Sequence, residues 1–515
     1  MNRRNFILSS AAVALMEGPS SALGKAAQSV AATTDQALRD RLMQDPLRPQ
    51  CHLLPQTGFV GDPCAPQFFR GQYHMFYHGN FGGGGWHHAM SPDMVHWNHL
   101  PIALSRTPGS FDAYGTFTGS VLPSGEGASV VYTGVTKVPT EQETIRNEGL
   151  REVQCIATSA DADLRTWNKL AGPIIGGPPP GMKVVGFRDP FSWKEGDTWF
   201  IGVGSGFSKI GGAVLLYRSK DARQWEYLHP LAQGTWNGEA SSNPVPSGEM
   251  WECPDFFPLA DKHVLLYSTA HTTFWEVGTF DRRELRFHSE RKGRLDHGAF
   301  YAPKSMLDGK MRRILWGWVQ ETRPKEEIDA AGWSGCVSLP RVLTLGANGD
   351  LQMEVAPEFA TLQTKTATIM QPHDAAELSD ALSRATISGR AGHVQCTFKV
   401  GESSCGLDLR LGSRDDSASL LAIAYDGAND QPLIYVGDKA VPLSPDRDGL
   451  STLHIWIDGS VIETFVDKSH AITTRSYLAA PEHAGIRLVW NGAVDSLKNL
   501  TVSELKAISN DRLTS

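Results

Sequence analysis

Along most of the chain, apolar and polar residues alternate over short runs bounded by Gly, Pro, Asn or Asp. This pattern is typical of strands joined by turns. The clearest runs before residue 345 are rich in aromatic and β-branched residues, and we find no amphipathic helix of three turns or more. These runs lie at 73–77, 129–132, 198–203, 264–267 and 313–318. The pattern predicts an all-β protein.

A repeated unit divides this region. An Asp followed four residues later by a Trp occurs at 93–97, 163–167 and 221–225, each time after a strand-like run and a small polar residue. Repeated units of all-β sequence predict stacked blades, and a region of roughly 300 residues at about 60 per blade predicts five. We therefore predict a five-bladed β-propeller over 46–345. The Asp is expected to close a turn and the Trp to pack between blades.

The composition and the pattern of apolar residues change after residue 345. Residues 346–380 are polar and alanine-rich, which favours a linker. From 381 to 510 the alternation is regular, and the Asp-Gly pair at 458–459 separates two strand-like runs as a tight hairpin turn does. Period-two alternation over many strands predicts a C-terminal β-sandwich, in which we find no catalytic constellation.

The first 45 residues have features of a targeting signal. Arg3 and Arg4 precede a short apolar run at 6–16, and small residues follow it. This arrangement resembles a bacterial twin-arginine export signal, and the run is too short to span a bilayer. We expect a periplasmic or secreted protein and exclude residues 1–45 from the fold prediction.

Composition narrows the possible partners. The 515-residue chain is 41% hydrophobic and 20% charged, with a net charge of −8. That charge argues against a nucleic-acid or membrane partner. The seven cysteines form no CxxC pair, so neither a metal site nor a disulfide framework is predicted. Cys396 and Cys405 flank a predicted hairpin and are expected either to pair or to remain buried thiols.

Three acidic residues carry the candidate chemistry. Glu252 lies between Trp251 and Cys253, and apolar neighbours raise the pKa of a carboxyl, as a general acid requires. Asp62 and Asp189 each precede a proline, which is expected to keep them extended. Inner strands of a propeller line a central channel, so carboxyls from separate blades can converge there.

These segments together resemble glycoside hydrolase family 32, the invertases, inulinases and levanases. The resemblance rests on 59–65, 86–93, 117–120, 188–190, 252–254 and 332–341, in the family's order. It implies a five-bladed propeller with a sandwich, no cofactor, and cleavage of β-fructofuranosidic bonds in sucrose or in inulin- or levan-type fructans.

The resemblance also implies roles. Asp62 corresponds to the nucleophile that forms a covalent fructosyl-enzyme, Glu252 to the acid/base and Asp189 to the transition-state stabiliser. A retaining mechanism places the two reacting carboxyls about 5 to 5.5 Å apart. The side chains expected to bind the sugar are Arg188, His78, Asn80, Trp86, Phe117, Thr118, Phe59 and Trp251.

The chain departs from the family pattern at three places. Gly61 and Cys64 stand where the family has Asn, and His78 stands where it has Gln. These departures affect substrate identity more than reaction type, because all three carboxyls remain. The alternatives are a fructosyltransferase, a related furanosidase acting on arabinose or xylose units, and a non-catalytic carbohydrate-binding protein.

The twin-arginine hypothesis makes a direct prediction. Replacing both Arg3 and Arg4 by Lys should hold the folded protein in the cytoplasm of a bacterial host, because the export machinery reads the arginine pair itself. The measurement is fructosidase activity in periplasmic and cytoplasmic fractions, with Lys25→Arg as the control variant. Unchanged periplasmic activity of the double variant would contradict the hypothesis.

Overall fold

The computed structural model describes residues 36–79, 84–124, 127–239, 241–401, 403–412, 418–427, 432–478 and 484–513. Within these ranges the strands form seven sheets. Five sheets of four to six strands follow one another along the chain as blades, and two further sheets face each other as a sandwich. The predicted all-β architecture, a five-bladed propeller followed by a C-terminal sandwich, is confirmed.

The propeller strands are β1 (Gly58–Pro63), β2 (Gln67–Phe69), β3 (Gln72–Gly79), β4 (Gly85–Ser91), β5 (Asn98–Leu104), β6 (Gly115–Val121), β7 (Ala128–Lys137), β8 (Leu150–Ser159), β9 (Asn168–Lys169), β10 (Phe187–Glu195), β11 (Thr198–Phe207), β12 (Gly211–Ser219), β13 (Glu226–Gln233), β14 (Glu252–Leu259), β15 (Lys262–Thr269), β16 (Thr272–Asp281), β17 (Arg286–Asp296), β18 (Phe300–Leu307), β19 (Arg313–Val319), β20 (Trp333–Ser334), β21 (Cys336–Val337), β22 (Arg341–Leu345) and β23 (Leu351–Val355).

The sandwich strands are β24 (Gln363–Met370), β25 (Ala391–Lys399), β26 (Cys405–Leu411), β27 (Ala418–Asp426), β28 (Leu433–Val436), β29 (Lys439–Pro442), β30 (Leu450–Asp458), β31 (Val461–Val466), β32 (His470–Arg475), β33 (Ile486–Asn491) and β34 (Leu497–Leu505). The helices are 36–44, Lys325–Ala331 and Ala375–Arg384, with 3₁₀ turns at Thr140–Gln142, Pro357–Leu362 and Val494–Ser496. No helix among the described residues is long and apolar enough to cross a membrane.

The ring closes where its two ends meet. β20, which follows the last blade, pairs in parallel with β1, the innermost strand of the first blade, through Gly58 with Trp333 and Phe59 with Ser334. Trp333 is buried, and its Nε1 donates to Asp45 at 2.8 Å. Closure matters for function because it fixes β1 against the fifth blade.

The repeated Asp closes a turn, as predicted, in two of the three units. Asp93 accepts hydrogen bonds from the backbone N–H groups of Val95 and His96, and Asp221 does the same two and three residues on. In the middle unit the prediction was wrong. There Asp161, not Asp163, accepts from the following backbone, because this turn is two residues longer.

The segment 346–380 is not the predicted linker. β23 pairs with β22 in the fifth blade, and β24 pairs with β34 at the edge of a sandwich sheet. Most side chains of β24 are exposed, which explains the polar composition that suggested a linker. The helix Ala375–Arg384 begins at Asp374, whose carboxylate accepts from two backbone N–H groups. Along the chain, the turn Pro357–Leu362 lies between the last strand of the propeller and the first strand of the sandwich.

All seven cysteines are free and buried. Of the two outcomes expected for Cys396 and Cys405, the structure therefore has the buried thiols. Burial raises the pKa of both thiols, that of Cys405 to about 11. Both thiols belong to the apolar core between the two sandwich sheets.

A buried ionic network joins the two domains. His52 of the propeller contacts Asp458 through Nδ1 at 2.7 Å and Glu463 through Nε2 at 3.1 Å. Arg341 donates to Glu463 and, at 2.9 Å, to Asp296. Burial alone would lower the pKa of His52, but its two carboxylate partners outweigh burial and raise the pKa to about 9. The imidazole is therefore charged at neutral pH and holds the sandwich to the propeller.

This network makes stability depend on pH. The stability contributed by charged His52 is complete below pH 6.5, its ordinary pKa, and is lost as pH rises through about 9. Wild type should lose up to about 3 kcal/mol of unfolding free energy over that window, whereas His52→Gln should not. Urea unfolding between pH 6 and 10 measures the difference. The exposed control His373→Gln should follow wild type; a parallel loss in His52→Gln would contradict the assignment.

Candidate active site

The innermost strand of every blade breaks its ladder at the same level. In each of the five blades, the register of this strand shifts at a bulge. The residues at the bulges are Asp62 on β1, Thr118 on β6, Asp189 on β10, Cys253 on β14 and Ala302 on β18. Four of these residues precede a proline, which has no N–H to give to a ladder. Bulges turn side chains out of the plane of a sheet. Five bulges around one axis therefore direct five side chains toward the mouth of the channel.

Asp62 is one of the three predicted acids and is 2% exposed. Thr118 Oγ1 of the second blade donates to its Oδ2 at 2.9 Å, and Cys253 Sγ of the fourth blade lies 3.7 Å from the same oxygen. Contacts from two other blades thus fix the direction of this carboxylate.

Asp189 adopts a conformation that the sequence did not predict. The following proline was expected to keep it extended, but its φ is 60°, in the left-handed region. The bulge imposes this conformation, which costs about 1 kcal/mol or more for a residue with a Cβ. Oδ2 of Asp189 accepts from Cys253 N at 3.0 Å and lies 3.4 Å from Cys253 Sγ. Cys253 therefore touches two of the three predicted acids.

Glu252 is held by an arginine and a tyrosine. Arg188 Nη2 donates to Glu252 Oε1 at 2.9 Å, and Tyr301 OH donates to Oε2 at 2.7 Å. The other side of the guanidinium donates to Glu152 at 3.0 Å, and Nε lies 3.9 Å from Asp189. One cation thus faces three carboxyls and fixes their positions relative to one another.

The sequence analysis did not identify Tyr301, Glu152 or Thr133, whose Oγ1 accepts from Asp189 N at 2.9 Å. Tyr301 had a detectable signal: it stands directly before Ala302-Pro303, as Glu252 stands before Cys253-Pro254. Glu152 and Thr133 lie on β8 and β7, away from any motif, so only the folded structure reveals them.

Half-buried aromatic residues lie close in sequence to Asp62 and to its partner Thr118. Phe59 packs edge-to-face on Trp318 with 5.5 Å between ring centroids, and His78 faces Phe117 at 6.4 Å. Predicted sugar-binding residues Phe59, His78 and Phe117 are thus placed at the site. Rings of this kind supply an apolar face for a sugar.

Two other predicted binding residues are buried tryptophans. Trp86 is fully buried, and its Nε1 donates to Phe117 O at 3.1 Å. Trp251 is 4% exposed and stacks on Tyr267 with centroids 3.8 Å apart. The wide indole surfaces belong to apolar clusters between blades. Asn80 lies outside the described residues.

Two of the predicted binding residues, Arg188 and Thr118, contact the acids. Arg188 and Thr118 are buried and touch the acids directly, which makes them positioning groups in this structure. Among the described residues, no group of three or more His, Cys, Asp or Glu side chains is arranged to hold a metal ion.

Comparison with known proteins identifies the family. The sequence profile of the glycosyl hydrolases family 32 N-terminal domain matches residues 52–355, and that of the family 32 C-terminal domain matches residues 358–504. The chain belongs to glycosyl hydrolases family 32. It is a glycoside hydrolase, and the predicted resemblance is confirmed.

Relatives of known name cover most of the chain. A sucrose-6-phosphate hydrolase of Escherichia coli is 31% identical over 486 residues, spanning 88% of this chain and 93% of that protein. A raffinose invertase of Escherichia coli is 30% identical, spanning 83% and 89%. The solved structure of a sucrose-6-phosphate hydrolase from Lactobacillus gasseri superposes with a TM-score of 0.73 at 20% identity, covering 93% and 97%, which shows the shared fold.

Gly61 and Cys64, which depart from the family 32 sequence pattern, lie in different surroundings. Cys64 was expected in a sugar-binding loop, but it is fully buried in the apolar cluster of Phe76 and Trp86. Burial raises the pKa of its thiol well above the usual value. Gly61 lies at the pocket, where a Cβ would stand 2.9 Å from Phe59 Cε1 and 3.3 Å from His78 Cβ. The missing side chain at residue 61 therefore makes room for the Phe59 ring.

Gly61→Asn should consequently disturb binding. The new side chain must displace the Phe59 ring, and we expect KM to rise roughly tenfold, about 1.4 kcal/mol, with a smaller change in kcat. Steady-state kinetics on sucrose measures both constants. Gly172→Asn is the matched control, because a Cβ there meets open space. An effect confined to kcat would contradict the assignment of Gly61 and Phe59 to substrate binding.

Proposed function

We propose that this family 32 hydrolase cleaves β-fructofuranosidic bonds with retention of configuration, through a covalent fructosyl-enzyme. The observation that carries the proposal is the convergence of Asp62, Asp189 and Glu252 from three blades around Cys253 and Arg188. A pair of carboxyl groups is the general requirement for glycoside cleavage, and the third acid is available to bind the sugar.

In the first step, the Asp62 carboxylate attacks the anomeric carbon of the fructosyl unit. The bond from that carbon to the leaving oxygen breaks, and Glu252 gives its proton to the oxygen. Asp189 accepts hydrogen bonds from sugar hydroxyls, and its negative charge stabilises the positive charge that develops on the ring. The products of the step are a fructosyl ester of Asp62 and the released alcohol.

In the second step, water replaces the alcohol. Glu252, now ionised, takes a proton from the water as it attacks the anomeric carbon, and the ester bond to Asp62 breaks. Arg188 and Tyr301 keep the Glu252 carboxyl in one place for both proton transfers. Free fructose leaves, and Asp62 returns to its ionised form.

The substrate class follows from two considerations. Relatives that cover most of the chain are named sucrose-6-phosphate hydrolase and raffinose invertase. Both sugars contain a fructosyl unit bonded through oxygen to a glucosyl unit. Gly61 and His78 differ from the family pattern, so we propose weaker activity on sucrose itself and a preference for another small fructoside. Release of fructose from a panel of sucrose, raffinose, inulin and levan measures this preference.

We further propose that the enzyme acts outside the cytoplasm. The support is the Arg3-Arg4 pair with its short apolar run, which lies outside the described residues. Export in the folded state suits a protein with seven buried thiols, which are shielded from the oxidising compartment before they reach it.

The three acids should respond differently to substitution. Glu252→Ala should slow cleavage of sucrose about a hundred- to ten-thousand-fold, but should hardly affect formation of the fructosyl-enzyme from an activated aryl fructoside, whose leaving group needs no proton. Asp62→Ala should abolish both reactions, because no covalent intermediate forms. Asp189→Ala should impair both through the lost sugar contacts.

Rapid-mixing kinetics on sucrose and on the aryl fructoside provides the measurement, and circular dichroism checks that each variant is folded. Asp163→Ala is a suitable control, because this half-exposed acid lies on the turn between β8 and β9 and pairs with Arg165. Equal losses on both substrates in Glu252→Ala, or retained activity in Asp62→Ala, would show that the roles are assigned wrongly.

A further inference from the structure

A second cavity, of about 390 Å³, lies at the opposite end of the propeller channel from the three acids. Its lining comes from β6, β10, β14 and β18 and from the segment after β1. On β10, Phe191 of the cavity lies two residues after Asp189. On β18, Lys304 of the cavity lies three residues after Tyr301. A strand rises about 3.3 Å per residue, so the cavity begins roughly 7 to 10 Å beyond the acids.

Lys304 is the central charge of this cavity. It is 1% exposed, and its Nζ donates to the backbone oxygen of Pro254 at 2.8 Å. Within the described ranges Lys304 forms no ion pair at 4.0 Å or less. A buried ammonium group is costly unless an opposite charge or several acceptors surround it. One carbonyl leaves two of its three N–H groups available to a ligand.

The other polar groups of the cavity are also mainly donors. Gln67 is 6% exposed, and its Nε2 has no hydrogen-bond partner among the described residues. The same is true of Nε of Arg313, whose guanidinium lies 4.4 Å from the ring centre of Phe257. Burial lowers the pKa of Arg313, and the nearby charge of Asp255 offsets only part of that effect.

One described acid, Asp255, also lines the cavity. Its Oδ2 already accepts from the backbone N–H and the hydroxyl of Ser305, at 2.8 and 2.6 Å. The described lining therefore contains two cations against one acid. A ligand that complements it carries negative charge and several acceptor oxygens.

We propose that this cavity is a binding site for a small oxyanion, of the phosphate, sulfate or carboxylate class, held by Lys304, Arg313 and Gln67. The site is separate from the fructoside pocket and opens at the other face of the propeller. Its ligand adds negative charge to a lining in which Asp255 faces two cations, Lys304 and Arg313.

Isothermal titration calorimetry of the full chain with inorganic phosphate, at constant ionic strength and neutral pH, tests the proposal. Wild type should bind one phosphate saturably, and saturating fructose should not change the affinity. Arg313→Gln and, independently, the nearly isosteric Gln67→Met should each weaken binding at least tenfold. Arg286→Gln, which removes an exposed arginine of β17, should bind as wild type does. Parallel titrations with sulfate and acetate define which oxyanion shape binds best.

The cavity variants Arg313→Gln and Gln67→Met are independent. If one of them fails to fold, the other still tests the proposal. Absence of saturable binding of phosphate, sulfate and acetate to wild type would overturn the proposal. So would equal phosphate affinity in wild type and both cavity variants. Competition by fructose would place the ion in the active site instead, and would overturn the proposal as well.

Discussion

The site depends on one constraint: the innermost strand of each blade must interrupt its ladder at the same height along the channel. A regular strand would point alternate side chains into the packed spaces between blades. The bulges instead turn Asp62, Asp189 and their neighbours toward the axis. The left-handed residues Asp189, Cys253 and Ala302 show that the backbone accepts strain to achieve this. Without the bulges, the acids would not meet.

Cys253 shows how closely the bulges are coupled. Its backbone N–H and thiol both contact Asp189, and the thiol also contacts Asp62. The residue before it, Glu252, supplies the third acid, so one bulge serves all three carboxyls. A change in the twist of the fourth blade would therefore move the whole site, which links the packing of Trp251 between the blades to the chemistry.

The sandwich contributes through charge rather than through catalytic groups. Asp458 and Glu463 reach from it to His52 and Arg341, which lie at the two ends of the propeller sequence. The network holds those two ends together at the point where β20 closes the ring on β1. Because β1 carries Asp62, the second domain stabilises the position of the nucleophile proposed above.

The sequence by itself determined the all-β class, the two domains and the family, and it singled out the three candidate acids, because alternation and short motifs are local properties of the chain. It also determined that Gly61 departs from the family pattern. Only the tertiary structure decided the left-handed backbone of Asp189, the burial of Trp86, Trp251 and Cys64, and the contacts of Tyr301 and Glu152 with the acid cluster. These features arise between blades that are distant in sequence, where packing and ring closure, rather than local preference, set the conformation.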